Sequence, residues 1–386
     1  MNRFMRLERL FVLASWLVVL APALTQAALR SSFEMNVPSP PTPVDVDGKP
    51  RLVYELHLTN FARDALTLTR LQVVNADDAS IVYEVRDADL AKLVGRPGMS
   101  PETSDRRVIG PGMRAVIYLG FPIDRATAKP RTLRHRIEFD VIHPDERERA
   151  SAEGAVMKVG ETAPIMLDPP VRGGPWIAIY DPFAERGHRR MIFALEGHAR
   201  IPARFAIDWI KLDEHGKFAR GDEKKIANWY GYGADVLAVA DSVVAAARDD
   251  VAESATLSNE RHALEDASGN YVALDLGQGR YAFYEHLKPG SIKVKAGDRV
   301  HSGQVIGALG YTGDSTGPHL HFHVADAKSP LLAEGLPYVF KRFDVLGVFE
   351  TMDAFAKGEL WSSRPQDEPR VRDNELPAAN TVLQFR

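Results

Sequence analysis

The chain has no cysteine. That excludes disulfides and thiolate metal sites, so any bound metal must be held by His, Asp and Glu. Long runs of like charge are also missing: 48 Lys and Arg stand against 52 Asp and Glu, for a formal net charge of −4. A nucleic-acid footprint gathers Lys and Arg on one face, and nothing here suggests one. There is no tandem repeat and no low-complexity segment. Past the first 27 residues, no stretch is apolar enough over the roughly 20 residues that a spanning helix needs.

The N-terminus reads as an export signal. Arg3, Arg6 and Arg9 precede the apolar run Leu10 to Leu20, and the small residues between Ala21 and Ala27 suit cleavage after Ala27. The apolar run is short for an anchor, so removal is expected. The mature protein is then periplasmic or secreted, with no stable membrane span. At 386 residues the chain should make about two domains. A hydrophobic content of 45% is enough to build their cores. Oligomeric state leaves no signal in the sequence.

The pattern is β throughout. Prolines 38, 40, 41 and 43 rule out helix after the leader. Leu52–Thr59, Leu66–Val74, Ala115–Phe121 and His135–Val141 then alternate apolar and polar residues between Gly/Pro/Asp-rich turns. Short strands at this spacing predict an immunoglobulin-like β-sandwich over residues 30–166. His57, His135 and His143 lack partners at ligand spacing and are expected to be structural or on the surface. Asp168-Pro-Pro-Val-Arg-Gly-Gly-Pro175 is the clearest linker. A second β domain is predicted over 175–335. Its strands are Arg189–Leu195 and Ala199–Leu212 about a Glu196-Gly197-His198 turn, then Gly233–Asp241, Gly269–Leu276, Arg280–Leu287 and His319–Val324. Val294–Val300 and Gly303–Gly307 read as a hairpin pair. The tail, 336–386, is expected to pack on this domain, with a short helix near Thr351–Lys357 and a last strand near Thr381–Phe385.

His319, His321 and His323 carry the most information. Alternate residues of a strand share a face, so three imidazoles project together while Leu320, Phe322 and Val324 face the core. Packing does not ask for three histidines there, whereas neutral imidazole is a common zinc ligand. A hydrolytic zinc site takes three protein ligands and keeps one position open. Asp208 is a candidate for the acidic ligand: Phe205, Ile207 and Trp209 take one face of its strand, and a carboxylate in such a strand is costly to bury unless paired or metal-bound. The third ligand should be His188 or His198. Pairing about a turn at Gly197 sets His188 opposite roughly Phe205 to Ile207, beside Asp208. His198 serves only if Arg200–Ala203 loops back.

Gly310-Tyr-Thr-Gly-Asp-Ser-Thr-Gly-Pro-His-Leu-His-Phe-His323 resembles the signature of the lysostaphin/LytM-type zinc metallopeptidases. Tyr232–Asp241, Tyr284-Glu-His-Leu287 and Val294–Gly307 match the same family in the same order. The resemblance covers roughly residues 175–330. It implies a small antiparallel β domain with zinc in a groove across the sheet, and His321 as a ligand completed by Asp208 and an upstream His. It further implies His286 and His319 as catalytic histidines, and the peptide stems or cross-bridges of peptidoglycan as the substrate of an endopeptidase. Three residues depart from the family pattern. Arg204 stands four places before Asp208, where the first His is usual. His323 stands where an acidic residue is frequent, and Ser242 follows Asp241 where glycine is usual.

Other readings are weaker. Gly313-Asp-Ser-Thr-Gly317 fits a nucleophile elbow, but Pro318 and a strand follow where that motif needs a helix. There is no H-E-x-x-H. A biotinyl- or lipoyl-type carrier would leave the His cluster unexplained. The rival of substance is a non-catalytic peptidoglycan-binding or regulatory module on the same fold, which zinc content would separate from an enzyme.

Overall fold

The alternation along residues 52–59 folds as the strand Lys49–Asn60, pairing antiparallel with Arg114–Pro122 on one side and Phe33–Asn36 on the other. This computed structural model describes residues 30–99, 105–125, 130–142, 147–181, 187–258, 261–363 and 370–386. The predicted leader and His143 lie outside them. Val94–Gly95 and Val44–Val46 complete a first five-stranded sheet. A second runs Arg147–Lys158, Thr132–Ile142, Ala65–Asn75, Ile81–Arg86, with Val108–Ile109 beside Ala65–Asn75. Leu52, Tyr54, Leu56 and Leu58 of the first sheet share one core with Leu66, Leu68, Ile137 and Phe139 of the second. The period-2 pattern thus marks the inner faces of two facing sheets.

Among the described residues that follow, Phe193–Leu195 with His198–Arg200 and Asp235–Leu237 with Val305–Ala308 form two separate two-stranded sheets, and most strands build one eleven-stranded sheet. Its order is Ile165–Leu167, Tyr338–Val348, Thr381–Phe385, Gly173–Ile179, Ile207–Lys211, Leu320–Ala325, Tyr281–Leu287, Asn270–Asp275, Ser242–Arg248, Arg299–Val300, with Val371–Glu375 beside Tyr338–Val348. The tail therefore enters the sheet itself: Thr381–Phe385 pairs with both Gly173–Ile179 and Tyr338–Val348. Among the described residues only Ile165–Leu167 runs parallel to its neighbour. Ser32–Arg386 forms one compact unit. Among the described residues no helix is long and apolar enough to cross a membrane.

Two local readings are corrected. Val294–Val300 and Gly303–Gly307 do not pair with each other. Arg299–Val300 joins Ser242–Arg248, and Val305–Ala308 joins Asp235–Leu237. Val300 and Ile306 both fill the core of the large sheet, so burial of these side chains against other strands outweighs local hairpin closure. The extended pair Arg189–Leu195 with Ala199–Leu212 is also absent. Only Phe193–Leu195 and His198–Arg200 pair, across a turn in which Glu196 (φ 51°) and Gly197 (φ 77°) are left-handed.

His135 is fully buried between the two sheets' partners: its Nδ1–H donates to the Ala155 carbonyl (3.0 Å) and its Nε2 accepts from the Tyr54 hydroxyl (2.8 Å). Burial pulls its pKa down to about 4. A group held neutral in the fold but titrating near 6.5 when unfolded takes up its proton first in the unfolded chain, so stability is full above about pH 6.5 and is lost toward pH 4. Urea unfolding should show this loss, and His135→Gln, which has no such titration, should flatten it by up to about 3 kcal/mol between those limits.

Candidate metal centre

Ile207–Lys211 and Leu320–Ala325 are hydrogen-bonded neighbours in a register that sets Asp208 opposite His321. Directly opposed residues share a face and lie close enough for their side chains to meet. The alternate residues Ile207, Trp209, Leu320 and Phe322 are fully buried on the other face. The result is contact between Asp208 Oδ1 and His321 Nδ1 at 2.9 Å.

His188 arrives from outside the strands. It opens a 3-10 turn, His188–Arg190, upstream of the short hairpin. After Arg200 the chain turns twice, with Arg204 N–H donating to the Ile201 carbonyl and Ala206 N–H to the Ala203 carbonyl, before the strand begins at Ile207. His188 Nε2 lies 3.1 Å from Asp208 Oδ2, and its ring meets that of His321 edge-on at 4.6 Å. The ligand atoms of His188, Asp208 and His321 all fall within 4.8 Å of one another. His198 does not join them: it is exposed on the hairpin. Arg204 turns away from the site toward Glu55 and Glu334.

His286 and His319 sit on the other flank of His321. Between Asn270 and Val272 the pairing with Tyr281–Leu287 slips: Asn270 faces Leu287, and Val272 faces Tyr284. Glu285 and His286 thus share one opposing position. Such a bulge re-aims a side chain, and here His286 takes a left-handed φ of 63°. Both residues are buried, and each brings a ligand atom within 4.8 Å of one on His321. His286 Nδ1–H donates to the Thr312 carbonyl (2.8 Å) and His319 Nδ1–H to the Gly317 carbonyl (2.7 Å). In each ring this leaves Nε2 for the site; that of His319 is 3.3 Å from Asp208 Oδ1. The two rings are 4.8 Å apart.

His323 shares the face but not the cluster around Asp208. It is buried, stacked on Phe283 at 4.8 Å and 5.2 Å from the His321 ring. Its Nδ1 is 3.9 Å from Glu285 Oε1, and neither that oxygen nor either His323 nitrogen has a hydrogen-bond partner. Sequence reasoning missed Glu285 because alternation sends it away from His286; only the bulge puts both on one side. Thr312 and Gly317 were visible as part of the Gly310–His323 motif, but their carbonyls as imidazole orienters were not.

The electrostatics suit a cation. Burial pushes the Asp208 carboxyl up, yet the His188 and His319 rings hold it well below the usual carboxylate range. Burial, with neighbouring imidazoles, draws His286 well below 6.5 and His321 down to about 4. These rings are neutral lone-pair donors at neutral pH, the form a metal requires. His319 is the exception: burial lowers it, but the Asp208 carboxylate outweighs that and raises it. Two imidazole nitrogens and one carboxylate, from three separate segments, form a donor set that fits a divalent ion.

Residues 228–332 match the model of Peptidase family M23. Among curated relatives, the chain is 38% identical over 90 residues to "Peptidoglycan DD-endopeptidase ShyC" of Vibrio cholerae serotype O1, covering 23% of this chain and 19% of that protein. It is 42% identical over 66 residues to "Peptidoglycan DD-endopeptidase ShyA" of the same organism, covering 17% and 15%. The chain thus spans less than a fifth of the length of either relative. The solved catalytic domain of lysostaphin from Staphylococcus simulans is 22% identical over 43% of this chain and 88% of that one, at a TM-score of 0.23. The family match includes His286, His319 and His321 but stops short of His188 and Asp208.

A divalent ion that binds the native cluster stabilises the fold by mass action, by about 2.7 kcal/mol at a free concentration a hundred times its dissociation constant. Melting followed with and without metal should show this gain. Asp208→Asn and His188→Ala should each remove most of it, and His198→Ala should leave it intact.

Proposed function

We propose that this chain, whose residues 228–332 form a peptidase M23 domain, is a zinc-dependent endopeptidase that hydrolyses the peptide part of peptidoglycan. One observation carries the reading: His188 and Asp208, both outside the matched stretch, bring their ligand atoms within 4.8 Å of His321 inside it. A motif without that completion would fit a binding module equally well. The names of the two Vibrio relatives support peptidoglycan as the substrate class.

Zinc held by His188, Asp208 and His321 would lower the pKa of its water toward about 7 and polarise the scissile carbonyl. The chain's own residues handle the protons. His286 is kept neutral by burial, with Nδ1–H committed to the Thr312 carbonyl, so its Nε2 is a proton acceptor. His319, oriented by Gly317 and raised by Asp208, is the better proton donor to the leaving amine. Ser315 Oγ, 3.2 Å from His319 Nδ1 and 2.8 Å from the Gly317 carbonyl, steadies that ring.

In this reading residues 30–166 are an immunoglobulin-like sandwich, supported by the two facing antiparallel sheets and their common core. Residues 175–335 are the peptidase domain, and 336–386 an extension that lends it strands. Export to the periplasm or medium rests on the basic start and apolar run of the first 27 residues.

Purified protein should contain about one zinc per chain and release peptide fragments from isolated sacculi, identified by mass, with release stopped by chelator. His286→Ala should keep zinc and lose turnover by at least about a hundredfold. His321→Ala should lose both. Intact sacculi despite bound zinc would leave a binding module as the better reading, and equal zinc loss in the two variants would defeat the division of roles.

A further inference from the structure

Alternation along Lys49–Asn60 sends Leu52, Tyr54, Leu56 and Leu58 into the N-terminal core and the residues between them to the opposite face. On an open sheet that face meets water. Glu55 and His57 are nevertheless only 1% and 6% exposed. What covers Glu55 is the segment that delivers His188. Arg189 Nε donates to Glu55 Oε1 at 2.7 Å, and Arg204 Nε donates to Oε2 at 2.8 Å. The rest of the Arg189 guanidinium donates to the Tyr54 and Leu119 carbonyls of the same sheet. Arg204 also reaches Glu334 at 2.8 Å and the Gly335 carbonyl at 3.1 Å. Arg190 lies over the Tyr118 ring at 4.9 Å and bonds the Lys92 carbonyl.

We propose that Glu55 is a positioning residue for the metal centre: through the forks of Arg189 and Arg204 it fastens both ends of the 188–204 excursion to the N-terminal sheet and so fixes the His188 imidazole beside Asp208. The inference rests on the reading of His188, Asp208 and His321 as a zinc site.

The physical need is plain. His188 belongs to a three-residue 3-10 turn with no side-chain cap, and the only strand pairing within the excursion is the three-residue hairpin. Such a segment does not hold a ligand by itself, and ordering it at the moment of binding would subtract from metal affinity. A buried carboxylate between two guanidiniums adds little net stability over apolar packing. It does penalise any arrangement that leaves a charge unpaired, which makes it a device for fixing geometry. Burial pushes the Glu55 carboxyl up, but Arg204 and Arg189 more than offset this and hold it below its ordinary value, so the clamp stays charged at neutral pH. Arg204 occupies the place four residues before Asp208 where the resembled family has its first ligand. Here that position contributes an anchor, and the ligand has moved to the neighbour of the other anchor, Arg189.

The test is a thermodynamic cycle on the full chain, with zinc dissociation constants read by competition against a chelator of known affinity. Glu55→Gln should weaken zinc about 10- to 100-fold, as expected when a group that orients a ligand is lost. In a His188→Ala background the same substitution should change affinity by less than about twofold, because the ligand it positions is gone. Wild-type affinity in Glu55→Gln, or equal losses in both backgrounds, overturns the proposal while leaving the zinc site standing. A wild type that binds no zinc overturns both. If circular dichroism shows Glu55→Gln to be unfolded, Glu55→Asp carries the cycle instead. It keeps the buried charge, but its carboxylate is one methylene too short to reach both guanidiniums, and it should weaken zinc only where His188 is present.

Discussion

Asp208 and His321 meet because two strands pair in one register. A slip of one residue would turn either side chain toward the apolar face of the sheet. That register is held from behind. Ile207, Trp209, Leu320 and Phe322 are fully buried, and Trp209 packs edge-on with Phe340 and Phe385 while Phe322 does so with Tyr338. Several of the bulkiest side chains of the large core therefore back the strands that carry Asp208 and His321. A close-packed interior resists small displacements, which is what a site requiring ligand atoms within a few tenths of an ångström of their places demands.

The other groups are hung on this pair by less regular means. His286 depends on a bulge and a left-handed backbone angle, His319 on the Gly317 carbonyl, and His188 on a turn that belongs to no sheet. Strain of this kind persists only where surrounding structure enforces it. Around His286 that enforcement is visible: its N–H is held by the Ser268 carbonyl, its ring by the Thr312 carbonyl, and Thr312 Oγ1 in turn by the Leu287 carbonyl. Around His188 it comes from the N-terminal sheet, through Glu55 and the two arginines. The N-terminal part is thus continuous with the site in a physical sense, with a buried ionic cluster as the joint.

Where sequence reasoning fell short, longer-range packing decided. The strands at 52–59, 66–74 and 135–141 are legible because apolar residues recur there with period two. That their second face is also partly buried, as at Glu55 and His57, and that both faces of 115–121 are, as at Val116 and Tyr118, comes from residues distant in the chain. The Val294–Gly307 pairing is not legible in this way, because each half finds a better apolar neighbour elsewhere. The extended hairpin that sets His188 opposite Phe205 to Ile207 does not form. The residue nevertheless lies beside Asp208, by way of a short hairpin, a 3-10 turn and an anchor on Glu55 some 130 positions away. Glu55 falls on the polar side of the alternation along 52–59, and nothing local says that another segment will cover it.

The chemistry on offer is legible in the chain. With no thiolates, a histidine-rich strand and a carboxylate stranded in an apolar one, the donor types and the β class follow from composition and short-range periodicity. Which donors converge depends on packing between distant segments. His188 is drawn in and His198 left out, Glu285 is turned inward beside His286, and Arg204 serves as an anchor. Each of those outcomes depends on contacts between residues far apart in the chain, and local periodicity holds no record of such contacts.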